Sequence, residues 1–139
     1  MKYLRSAVFA LGLLLVVSAT QAQQVRVKAE IPFDFVVGNQ VLPAGEYTVM
    51  TEGGAQQAVW IRSNQSKAAA VSIAFSCAAS GNGEASKLVF HSLDGRYFLS
   101  EIWTAGYDQG LQLPKPRMEV QLAKNNPTAV FSLAANVMR

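Results

Sequence analysis

From Val25 to Val37 the odd positions read Val25, Val27, Ala29, Ile31, Phe33, Phe35 and Val37, with Arg26, Lys28, Glu30 and Asp34 between them. Alternation over 13 residues has the two-residue repeat of a strand with one buried face. A helix would repeat its apolar residues every three to four. Pro32 falls at an outward position and has no N–H to give to a ladder, so the segment reads as one strand, or two with a bend at Pro32.

The second strong signal is Lys87–Leu93, Asp94-Gly95, Arg96–Thr104. Asp-Gly between two β-rich runs predicts a two-residue type I′ hairpin, because both positions tolerate positive φ. That register sets Leu93 opposite Arg96, Ser92 opposite Tyr97, His91 opposite Phe98 and Phe90 opposite Leu99. Both faces of the hairpin are then largely apolar, which suits a central place between two layers.

The remaining chain supplies shorter runs. Pro43-Ala44-Gly45 reads as a tight turn feeding a strand from Glu46 that ends at Gly53-Gly54. Val59-Trp60-Ile61 is a short strand, and Ser63 to Ser66 a polar turn. Ala68 to Ala78 is a longer strand whose Val71, Ile73, Phe75 and Cys77 share a face, taken as the core face. Ala79 to Ser86 is a loop, Ala105 to Arg117 an irregular stretch with two prolines, and Thr128 to Ala134 a last strand. Met118 to Lys124 fits either helix or strand. The expectation is therefore an all-β domain: a single antiparallel β-sandwich or small barrel of about seven or eight strands.

The N-terminus fits export. Lys2 and Arg5 precede 11 apolar residues, Ala7 to Val17, and Thr20 and Ala22 provide small residues before a cut. The run is well short of the ~20 residues that cross a bilayer core. The expected organisation is a signal peptide over 1–22 and one domain over 23–139. Without Lys2 and Arg5 the twelve basic residues become ten against nine acidic, and the net charge of +3 falls to +1. The basic residues are dispersed, which argues against nucleic acid. After cleavage nothing in the sequence spans a membrane as a helix. An outer-membrane barrel needs roughly ten-residue strands, longer than several found here. Hydrophobic residues at 50% and charged residues at 15% exclude intrinsic disorder.

Chemistry-bearing motifs are sparse. The sequence has no nucleotide-binding glycine loop, no H-E-x-x-H, no C-x-x-C and no G-x-S-x-G, and it implies no cofactor. One His and one Cys cannot build the usual zinc site. The sharpest catalytic arrangement is Cys77 as nucleophile with His91 as base and Asp94 or Glu101 behind it, a possible envelope hydrolase. Against it, Cys77 in phase with Val71, Ile73 and Phe75 is expected to be an inert core thiol. Trp60, Trp103, Tyr97 and Tyr107, with Phe90 and Phe98, could line a cavity for a small apolar ligand, although such aromatics are commonly plain core. Arg62, Lys87 and Arg96 could meet an anion. The stretch from Gly106 to Pro116 is the expected recognition surface.

Ile31-Pro32-Phe33-Asp34-Phe35-Val36-Val37-Gly38, Leu42-Pro43-Ala44-Gly45-Glu46-Tyr47-Thr48-Val49, Lys87-Leu88-Val89-Phe90-His91 and Arg96-Tyr97-Phe98-Leu99-Ser100-Glu101-Ile102-Trp103 together resemble an uncharacterised family of small secreted acidobacterial proteins. Leu113-Pro114-Lys115 also fits its pattern. The resemblance implies export and a β fold, and no activity. The expectation is an exported, non-catalytic binding or structural module of the periplasm or extracellular face, with an envelope protein or a small ligand as partner.

Overall fold

A computed structural model describes residues 24–53, 56–78, 85–107 and 109–138. The signal peptide over 1–22, Gly54 and most of the loop from Ala79 lie outside the described residues.

The alternating N-terminal run becomes two strands, β1 (Val25–Ile31) and β2 (Phe35–Val37). They are separated at Pro32, whose missing N–H ends the first ladder. Then come β3 (Gln40–Leu42), β4 (Gly45–Gly53), β5 (Gln56–Ser63), β6 (Ala69–Ala78), β7 (Lys87–Leu93), β8 (Arg96–Trp103), β9 (Gln109–Gln112), a short helix α1 (Arg117–Ala123), β10 (Ala129–Ala134) and β11 (Asn136–Val137).

All 11 strands belong to one sheet, in the order β10-β7-β8-β9-β6-β5-β4-β1-β11, with β2 and β3 attached through β8. This corrects the expected architecture in four ways. The described residues form 11 strands rather than seven or eight, and these make one sheet rather than a two-sheet sandwich. The β2–β8 pair is parallel, Phe35 beside Tyr97 and Val36 beside Phe98, so the sheet is mixed. Nor does the sheet close into a barrel. The C-terminal segment lies on both ends of the strand path, β10 on β7 and β11 on β1, with Ala135 between them.

The Asp94-Gly95 hairpin forms in the expected register. Asp94 and Gly95 both have positive φ, 50° and 73°, as a type I′ turn requires. A bulge follows at Val89/Phe90, which puts both Leu99 and Ile102 on the inner face despite their odd spacing.

The inner face carries the core: Ile31, Phe35, Tyr47, Val49, Val59, Ile61, Leu88, Phe90 and Ile102 are all at most 1% exposed. Its aromatic centre joins segments far apart in the sequence. Phe33 stacks on Tyr97 at 3.8 Å and meets Phe90 edge-on at 5.0 Å, while Phe35 meets Tyr47 edge-on at 5.0 Å. The corner between β2 and β4 is fastened by polar bonds: Ala44 N–H donates to Asp34 Oδ1 at 2.9 Å, and the Tyr47 hydroxyl donates to the Pro43 carbonyl. On the outer face, Leu122 of α1 packs over Val36, Leu93 and Phe98, a second small core.

Strand β6 inverts the expected phase. Ala70 and Ala74 are buried, whereas Val71, Ile73 and Phe75 are 57%, 55% and 48% exposed. The cause is register. The turn from β5 is closed by Ser63 N–H to the Ala68 carbonyl at 2.9 Å, and Ser63 Oγ accepts from the Gln65 and Ser66 amides. That turn pairs Ile61 with Ala70 and Val59 with Ser72, so the alanine set must share the inner face with Val59 and Ile61. Cys77 goes outward with Val71, Ile73 and Phe75 and is only partly buried, which corrects its expected place in the core. The stretch expected to be irregular contains β9, paired with both β6 and β8, and Met118–Lys124 falls largely on α1.

Candidate functional site

At one end of the curved sheet the ends of several strands leave a half-open cleft of about 580 Å³. That volume is within the range of small-molecule sites. Val25 begins β1, Thr51 comes late in β4, Gln57 is near the start of β5 and Ser76 near the end of β6; Ile102 and Thr104 mark the end of β8, and β9 gives Gln109, Gly110 and Leu111. Ile102, Leu111 and Thr51 are buried and form an apolar floor with one hydroxyl. Gln57, Ser76, Thr104 and Gln109 surround it with neutral donors and acceptors. Among the described lining residues no carboxylate, ammonium or guanidinium group occurs.

Tyr107 reaches the cleft through a tight turn. Its N–H donates to the Thr104 carbonyl at 3.2 Å, and Gly106 occupies the position with φ 87°, the geometry of a type II turn. The Ala105 N–H donates to Ser86 Oγ at 2.9 Å, which ties the turn to the start of β7. The phenol ring is left 45% exposed at the rim.

Gly110 forms a wall without a side chain. A Cβ there would lie 2.6 Å from the Trp103 ring, so the indole can lie flat against β9 only because this residue is glycine. Trp103 itself sits on the far side of the sheet, where its Nε1–H donates to Glu101 Oε2 at 2.8 Å and Lys87 Nζ stands 6.0 Å from the ring centre.

The four aromatic residues expected to share a cavity are thus distributed. Tyr107 is on the cleft rim, and Trp103 backs it from outside. Tyr97 packs among the core aromatics, and Trp60 is on the outer face of β5, 39% exposed. The expected recognition stretch Gly106–Pro116 does contribute Tyr107, Gln109, Gly110 and Leu111 to the cleft. Thr51, Gln57, Ser76 and Thr104 were not anticipated, because single neutral residues at strand ends carry no motif.

The Cys77–His91 arrangement is not assembled. β9 and β8 lie between β6 and β7 in the sheet, three steps of about 4.8 Å, so the two strands are roughly 14 Å apart, and the register sets Lys87 rather than His91 level with Cys77. His91 Nδ1 is instead 2.6 Å from Glu119 Oε1 on α1, a carboxylate that sequence reading missed. Burial pushes the Cys77 thiol above its ordinary range, and the Glu101 charge adds to this against an opposing bond from Gly110. A raised thiol is a poorer nucleophile at neutral pH. The basic residues also stand apart: Arg62 on β5, Lys87 over Trp103, and Arg96 Nη1 2.9 Å from Met118 Sδ. Among the described residues no cluster of three His, Cys, Asp or Glu could hold a metal. No described helix is long and apolar enough to cross a membrane.

The fold and cleft define a class in general terms, a single mixed β-sheet with a cleft at one end whose described lining is uncharged. Comparison with protein-family models, with curated proteins and with solved structures finds no match.

Proposed function

We propose that this chain is an exported, non-catalytic binding module of the cell envelope, acting in the periplasm or outside the cell, and that its site is the cleft at the end of the sheet. The observation that carries the reading is the lining: an apolar floor of Ile102 and Leu111 within a ring of uncharged hydrogen-bonding groups, with an exposed phenol ring at the rim. Such a surface suits a small neutral ligand with both an apolar face and hydroxyl or amide groups. Among the described lining residues a charged ligand would find no counter-charge to offset its lost hydration. The basic N-terminus, apolar run and small residues before position 23 support export, as does the resemblance to secreted acidobacterial proteins.

Native mass spectrometry of protein purified from the envelope of its own host tests this. The expected spectrum shows a chain starting at Gln23 that carries a small neutral adduct, which Tyr107→Ala and Thr51→Val each deplete. A bare chain in the wild type, or an adduct indifferent to both substitutions, would refute the cleft as the site.

A further inference from the structure

At the cleft end the inner face of the sheet changes character on five strands at once. Two residues from a buried apolar residue, at the next inward position, stands an uncharged polar one. Thr51 follows Val49 on β4, Gln57 precedes Val59 on β5, Ser76 follows Ala74 on β6, Thr104 follows Ile102 of β8, and Gln109 precedes Leu111 on β9. Inward positions of a sheet are ordinarily apolar, so five neutral polar residues together mark a lining rather than core. Among the described residues none of these five side chains makes a hydrogen bond. Each is a hydroxyl or a primary amide, and so offers both a donor and an acceptor to what enters.

That combination selects among small neutral molecules. Every hydroxyl of a sugar likewise donates and accepts, so it can pair with any of the five groups in either sense. An acyl chain would strip water from the same groups and return no hydrogen bond. An extended peptide would need free backbone, but β4, β5, β6 and β9 spend theirs on one another through these positions. The apolar elements of the cleft suit the C–H side of a pyranose ring: Ile102 and Leu111 in the floor, and at the rim the exposed Tyr107, on a turn tied to Ser86. C–H groups carry a slight positive charge and rest favourably on the negative face of a phenol ring. We infer that the cleft holds a neutral sugar, one pyranose unit stacked on Tyr107 with its hydroxyls shared among Thr51, Gln57, Ser76, Thr104 and Gln109. This rests on the cleft being the binding site and narrows its ligand to one chemical class.

Titration of the mature chain with neutral di- and trisaccharides of glucose, galactose, mannose and N-acetylglucosamine tests this. At least one is expected to bind with a Kd of about 1 mM or tighter. Tyr107→Ala and Gln57→Leu should each weaken that binding by about tenfold or more, and Tyr107→Phe, which keeps the ring, should recover most of what Tyr107→Ala loses. Exchanging a CH2OH group of the bound sugar for a carboxylate should weaken it too, because the described lining offers no counter-charge. Failure of every sugar to bind, or a Kd indifferent to both Tyr107→Ala and Gln57→Leu, would overturn the inference. The host adduct separates this from the cleft reading: an adduct that Tyr107→Ala depletes but whose mass is not that of a sugar would keep the cleft as the site and remove the sugar.

Discussion

At the residue scale, the most informative side chains are those that make the motifs cohere. Phe33, Phe35, Tyr47, Phe90 and Tyr97 come from segments far apart in sequence and pack as one aromatic cluster. Packing in the core is the role the fold gives these five side chains. Tyr47 shows how tightly one residue is held. Its ring is fully buried and its hydroxyl donates to Pro43. Burial pushes the phenol above its ordinary range, and the Asp34 carboxylate pushes in the same direction. A group whose folded pKa lies above its unfolded value contributes stability that is complete below about pH 10 and is lost as the pH climbs through the folded value. Urea unfolding at pH 8 and pH 10.5 should therefore show a falling midpoint in the wild type. Tyr47→Phe should flatten that fall, at a cost of about 1 kcal/mol at neutral pH for the lost hydrogen bond.

At the element scale, α1 is too short to persist alone, and its docking decides whether it exists. It has no side-chain N-cap, since Pro116 occupies that position. Three contacts hold it: Leu122 in the outer apolar cluster, Glu119 against His91, and the exposed Met118 Sδ accepting from Arg96. Glu119 is 3% exposed, so its carboxylate depends on that imidazole. Removing one partner of a buried pair costs about 3–5 kcal/mol, whereas removing both can be nearly neutral. His91→Leu should lower the unfolding free energy by about that amount, and His91→Leu/Glu119→Leu should recover most of it. Equal loss in the single and double variants, measured by urea unfolding, would show that the pair does not hold α1. The same scale explains β6. Its apolar parity pointed to the core, but a five-residue turn anchored by Ser63 fixed the register first, and every side chain on the strand followed.

At the scale of the whole molecule, the C-terminal segment holds the sheet's curvature. β10 lies on β7 and β11 on β1, the two ends of the strand path, and Met138 N–H adds a bond to the Arg26 carbonyl at 2.9 Å. A chain ending at Ala135 loses the β11 ladder and this bond. The expected destabilisation is about 2 kcal/mol, from two or three hydrogen bonds. Hydrogen exchange should then speed up at β1 while the β7–β8 hairpin keeps its protection. Uniform loosening of both would mean that the curvature is not held locally by this segment.

The sequence by itself determined the longer strands and the β7–β8 turn, because these rest on local chemistry: two-residue alternation in β1, proline at its end, and the Asp94-Gly95 geometry that fixed the β7–β8 register residue by residue. It also located the stretch that supplies four of the ten described residues lining the cleft. Only the tertiary structure decided the order of 11 strands, the parallel β2–β8 contact, the orientation of β6 and the meeting of His91 with Glu119. Each of these depends on which distant segments lie side by side. Periodicity reports that a face is buried and not what buries it, so a strand's inward side follows from its neighbours' register once the sheet has formed.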